Sequence, residues 1–176
     1  YHAIYIGGNK TLTGGRNISG YRLRTAAKQH GYNVLVLDFA VVMTQDALFR
    51  LLSEVVTKDT VCLAFSSTWS ESISPERIGT SSIDWIADDF FARLKETFPT
   101  IPIVAGGQML TSYSSKMVYK HCDWHVTGFA DISFVELLNF LSNKPNRLKY
   151  KVDVNNKKCI DSNADYKVAH PNTLET

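Results

Sequence analysis

Thr60-Val61-Cys62-Leu63-Ala64-Phe65 is the stretch that decides the fold. It carries no charge and no apolar–polar alternation, so both of its faces need covering. A strand of that kind belongs in the middle of a parallel sheet with helices on either side. It ends in Ser66-Ser67-Thr68-Trp69, and a polar loop then runs to about Ser81. That loop is longer than most strand-to-helix connections, which marks it as a functional suspect. Upstream lie Ala3-Ile4-Tyr5-Ile6, halted by Gly7-Gly8, and Asn33 to Phe39. Downstream lie Ile101 to Ala105, ended by Gly106-Gly107, and Asp123 to Thr127, stopped by Gly128.

Helical periodicity fills the intervals. Ile18, Tyr21, Leu23 and Ala26 recur at helical spacing before His30-Gly31, a C-cap pair. Gln45 to Val56 puts Leu48, Leu51, Leu52, Val55 and Val56 on one face, with Thr44 as N-cap. Ile83 to Phe98 and Ser112 to Lys120 read as further helices, and Asp131 caps a last one that runs to Leu141. Five strands, each followed by a helix, predict an α/β fold. It is a doubly wound five-stranded parallel sheet of flavodoxin-like or Rossmann-like type, order 2-1-3-4-5. Leu148 to Val154 alternates, Asn155-Asn156 reads as a hairpin turn, and the chain from Asp161 is polar without period. The expected organisation is an α/β domain over 1–142, then a C-terminal hairpin and linker over 143–176.

Composition narrows the classes. The chain has 176 residues, 44% hydrophobic and 20% charged, enough for one domain with a real core. Nineteen basic against seventeen acidic residues give +2, too balanced to argue for nucleic acid or an anionic membrane. Cys62, Cys122 and Cys159 stand far apart, form no CxxC pair and suggest no disulfide framework. A reducing cytoplasm suits them. No apolar run reaches the ~20 residues of a membrane span.

In an open parallel sheet, ligands bind at the carboxyl ends of the strands, near the point where strand order reverses. The residues delivered there are Gly7-Gly8-Asn9, Ser66-Ser67-Thr68-Trp69 and Gly106-Gly107-Gln108. Glycine at two of these ends lets backbone approach a flat or bulky ligand. Small hydroxyls at the third end donate and accept without blocking space. Glycine also ends parallel strands for turn reasons alone, but small residues at three adjacent ends favour a ligand crevice.

Other constellations carry less. Thr11-Leu12-Thr13-Gly14-Gly15 partly matches the phosphate loop of flavodoxins, which would make the chain an FMN-binding electron carrier. Gly-x-Gly-x-x-Gly and the P-loop pattern are absent. A phosphoacceptor receiver needs acidic residues where Gly7-Gly8 and Ser66-Ser67 stand. His121, Cys122 and His125 flank the fifth strand, but a helix-to-strand boundary separates the two histidines. Cys122 reads as a buried small hydrophobe, so no metal site is assigned. No Ser-His-Asp order or nucleophile elbow is present, and the chain offers no catalytic set.

Several landmarks in order carry a resemblance. They are His30-Gly31-Tyr32 before the strand Val34 to Asp38, Ala64-Phe65-Ser66-Ser67, the run Pro99 to Gly107, and Val126-Thr127-Gly128-Phe129-Ala130-Asp131-Ile132 leading to Glu136-Leu137-Leu138. Over about residues 3 to 142 the chain resembles the cobalamin-binding (vitamin B12) N-terminal domain of radical S-adenosylmethionine proteins. That resemblance implies Ser66 or Ser67 and Gly106-Gly107 around the nucleotide tail of cobalamin. It implies the first-strand end and Gly128 near the corrin ring, with Phe129, next to Gly128 after the fifth strand, among the cofactor-binding residues. The Asp-x-His-x-x-Gly signature that supplies a cobalt ligand is replaced by Gly8-Asn9-Lys10-Thr11, so no histidine of that loop would coordinate cobalt. A 4Fe-4S cluster and S-adenosylmethionine would belong to a downstream catalytic domain of the same polypeptide. A cofactor-free interaction scaffold of the same fold stands as the alternative.

Overall fold

The computed structural model describes residues 1–7, 18–38, 40, 43–66, 88–107, 121–153 and 155–162. The elements run β1 (Ala3–Ile6), α1 (Ile18–Gln29), β2 (Val34–Leu37), α2 (Gln45–Val55), β3 (Cys62–Ser66), α3 (Asp88–Thr97), β4 (Ile103–Gly107), β5 (Trp124–Thr127), α4 (Asp131–Leu141), β6 (Lys151–Val152) and β7 (Lys158–Asp161). The expected helix over Ser112 to Lys120, and the first residues of the one begun at Ile83, lie outside the described residues.

The sheet order is β2-β1-β3-β4-β5-β7-β6. The five anticipated strands are all parallel and stand in the order 2-1-3-4-5. The fold is the expected α/β, flavodoxin-like and Rossmann-like type. The C-terminal hairpin extends it: β7 pairs parallel to β5, and β6 pairs antiparallel to β7. The turn is built by Asp153, whose Oδ1 accepts from the N–H groups of Asn155 (2.9 Å) and Lys157 (2.8 Å). Asn156 takes a positive φ of 59°, a conformation asparagine tolerates better than most residues.

Two cores cover the two faces, as the apolar third strand requires. On one face Ile4, Leu63, Phe65 and Ile103 pack against Leu48 and Leu52 of α2 and Phe91 and Leu94 of α3. Phe65 and Phe91 meet edge to face at 4.9 Å, worth about 0.5–1.5 kcal/mol beyond their buried area. On the other face Tyr5, Ala64, Val104 and Val126 pack against Ala27 of α1 and Phe134, Leu137 and Leu138 of α4.

The helix ends follow their local chemistry. Gly31 (φ 80°) closes α1, and the Tyr32 hydroxyl donates to Asn139 Oδ1 of α4 at 2.8 Å. Thr44 caps α2, accepting from the Ala47 N–H at 3.2 Å. Asp131 departs from its expected role. It is the first residue of α4, and the N-cap is Ala130, which makes no side-chain cap bond. Gly128, three residues before the helix, has a left-handed φ of 83°.

Candidate functional site

A cavity of about 350 Å³ opens at the carboxyl ends of β3, β4 and β5, on the face covered by α1 and α4. That is within the size range of small-molecule sites. Its floor follows from strand alternation. Tyr5, Ala64, Val104 and Val126 point to this face, and so do Ser66 and Gly106, two residues further along their strands. Ser66 sits opposite Gly106, and Gly106 opposite Val126, in register. A Cβ on Gly106 would rest in ordinary contact with Val126, 3.7 Å from its carbonyl oxygen, and the glycine itself lines the cavity.

Five of the residues anticipated from sequence come together here: Ser66, Gly106, Gly107, Gly128 and Phe129. Ser66 is 4% exposed, while Phe129 stands 37% exposed at the rim. Gly107 has φ 141°, which L side chains rarely adopt, and its carbonyl accepts from the Gly128 N–H at 3.4 Å. Gly7 is not among the lining residues. Its N–H donates to the Leu37 carbonyl (3.2 Å) and its own carbonyl accepts from Ala40 (3.1 Å), which ties the end of β1 to the end of β2. Gly8, Asn9, Ser67, Thr68, Trp69 and Gln108 lie outside the described residues, as does the Thr11 to Gly15 loop.

The cavity also takes in residues the sequence reading did not name. Tyr5, Ala64 and Val104 were reachable by stepping back two positions from the strand tips. Arg22 and Asp131 were not, because they are 109 residues apart and meet only through the packing of α1 on α4. Arg22 Nη2 lies 2.6 Å from Asp131 Oδ2, with the side chains 53% and 26% exposed. At that exposure the pair is worth no more than about 1 kcal/mol, and its charges cancel at the mouth. The rest of the described lining is mostly apolar, its polar residues being Tyr5, Ser19 and Ser66, with glycine backbone beside them. Such a lining suits a flat, uncharged group with a few hydrogen-bonding atoms better than a bare anion.

No protein-family model matches the sequence, and no curated protein matches it. Among solved structures the chain is similar to the cobalamin-dependent S-adenosylmethionine radical enzyme OxsB, solved with aqua-cobalamin and S-adenosylmethionine bound. The identity is 12% and the TM-score 0.60, over 90% of this chain and 22% of that one. It is also similar to the radical S-adenosylmethionine methyltransferase TsrM from Kitasatospora setae, at 17% identity and TM-score 0.52 over 81% of this chain and 26% of that one. The isolated REC domain of RcsB from Salmonella enterica serovar Typhimurium superposes at 15% identity and TM-score 0.49, over 83% of this chain and 92% of that one. At these identities the likeness to the two radical enzymes is one of fold. The chain spans about a quarter of the length of the two radical enzymes. No helix among the described residues is long and apolar enough to cross a membrane.

Proposed function

We propose that this chain is a cobalamin-binding-like domain of a radical S-adenosylmethionine enzyme and that its cavity takes the nucleotide tail of a corrinoid. The observation that carries the reading is the space at Gly106. Near the end of β4 this residue without a side chain, in register between the buried Ser66 and Val126, lines a cavity of about 350 Å³ on the sheet face. Two structures of the same fold are radical S-adenosylmethionine enzymes, and OxsB holds aqua-cobalamin.

A bound corrinoid would supply methyl-carrying or radical-tuning chemistry to a downstream catalytic domain. This chain's own residues would bind and orient it. The Ser66 hydroxyl offers a hydrogen bond to the heterocycle of the tail, Tyr5 and Phe134 exclude water from it, and Phe129 gives an apolar rim toward the ring. Gly107 lets the backbone turn without a Cβ obstructing the entrance. The 4Fe-4S cluster and S-adenosylmethionine would be held by the downstream domain, in a reducing cytoplasm that suits three free thiols.

The test is retention. Purified protein is mixed with hydroxocobalamin, desalted, and its visible spectrum read; a second portion is treated with FMN. A corrin spectrum in the protein fraction, lost in Gly106→Leu, is the expected result. A flavin spectrum would instead assign an electron carrier. A colourless eluate from both would leave the cofactor-free interaction scaffold.

A further inference from the structure

On the sheet face opposite the cavity, β5 and β7 bring a second group of side chains together. Trp124 and Val126 of β5, and Ile160 of β7, pack on the α1 and α4 side. Strand alternation therefore sends His125 and Cys159 to the other face, where they stand opposite one another in register. The hairpin turn delivers a third group, Asp153. Its Oδ1 is fixed by the N–H groups of Asn155 and Lys157, and its own N–H donates to the Lys157 carbonyl at 2.9 Å, so the carboxylate is held in one orientation. One ligand atom from each of His125, Asp153 and Cys159 lies within 4.8 Å of the other two. His125 is only 1% exposed.

We infer that His125, Asp153 and Cys159 form a binding site for a divalent ion of the zinc class. An imidazole nitrogen, a thiolate sulfur and a carboxylate oxygen are the three donor types zinc accepts. Around tetrahedral zinc, donor atoms lie about 3–4 Å apart, so the ion would draw these groups together by about 1 Å. All three sit on β5, on β7 or in the turn that joins β7 to β6, where the backbone limits their movement. Three protein donors leave a fourth position for water or another ligand. Binding converts the Cys159 thiol to a thiolate and releases its proton to solvent, one proton per ion bound. The metal fastens the β6–β7 hairpin to β5. The sequence reading weighed His121, Cys122 and His125 and assigned no metal site. In the structure Cys122 is fully buried, and His125 is joined by residues 28 and 34 positions downstream.

The experiment uses the whole chain, stripped with a chelator and titrated with zinc alone by calorimetry. One ion per chain is expected. Cobalt in place of zinc should give a thiolate-to-cobalt absorption band, and zinc should slow alkylation of Cys159. Loss of groups merely supporting a ligand already costs about 10–100-fold in affinity, so Cys159→Ser should weaken zinc by more than about tenfold and abolish the cobalt band. His121→Ala should change nothing. Should Cys159→Ser fail to fold by circular dichroism, Asp153→Asn, which keeps the turn-forming oxygen, takes its place with the same expected weakening. No stoichiometric zinc, or zinc held equally well by the Cys159 and Asp153 variants, would overturn the site. Corrinoid retention reads the opposite face, so either result leaves that of the cavity standing.

Discussion

Gly20 of α1 lies so close to Tyr5 of β1 that a Cβ on the glycine would meet the tyrosine ring at 2.6 Å. Val36 of β2 would be 2.9 Å away. The helix therefore rests directly on the sheet, and that approach places the buried Tyr5 ring at the cavity wall. Gly20→Ala should destabilise by about 1–3 kcal/mol, because overpacking outweighs the better helix propensity of alanine. Urea denaturation measures it, and an unchanged midpoint would mean that the helix can lift away at little cost.

Adjacent glycines at the end of β4 should respond differently. Gly106 has ordinary van der Waals room for a Cβ, so Gly106→Ala should be neutral or gain up to about 1 kcal/mol through the unfolded chain. Gly107→Ala should lose about 1–3 kcal/mol, because φ of 141° strains any L side chain. Thermal melts of the two variants side by side decide it.

Asp123 joins the starts of β4 and β5. Its Oδ2 accepts from the Ile103 N–H at 2.7 Å and lies 2.8 Å from Lys95 Nζ, and its own N–H donates to the Ile103 carbonyl at 2.8 Å. Asp123→Ala should cost about 1–3 kcal/mol, mostly from the stranded Ile103 N–H. Lys95→Ala, which breaks only an ion pair whose side chains are 31% and 36% exposed, should cost no more than about 1 kcal/mol. Equal losses in denaturant would contradict this division.

Burial pushes the Cys62 thiol up to about 12 from its ordinary 9.0, and burial with the neighbouring Asp123 charge raises Cys122 as well. The folded chain thus keeps thiol protons that the unfolded chain releases. The stability they contribute is complete below pH ~9 and is lost as pH rises toward ~12. Denaturation followed across that range should show the decline, and Cys62→Ala should shrink it. At pH 8 an alkylating reagent should modify Cys159 before either buried cysteine; modification of all three at one rate would contradict the burial.

The architecture was legible because parallel strands announce themselves locally. Cys62 to Phe65 is apolar throughout, and glycine or serine stops β1, β3, β4 and β5. The right-handed crossover rule does the rest. The pairing of β7 with β5 was not legible. Alternation and an asparagine turn specify a hairpin's internal partner, but the strand it then joins depends on which sheet edge remains open. The site divides in the same way. Ser66, Gly106, Gly107 and Gly128 could be read from strand ends, and Tyr5, Ala64 and Val104 by period two. Arg22 with Asp131, and His125 with Asp153 and Cys159, arise from tertiary packing across long stretches of chain, which no spacing records.

Among the described residues the sheet ends on Lys151 and Val152, both exposed. An outermost strand of two residues, one of them cationic, presents too short a row of backbone groups for another chain to add to in register. At this border the protein carries its own protection against strand-by-strand growth into fibres.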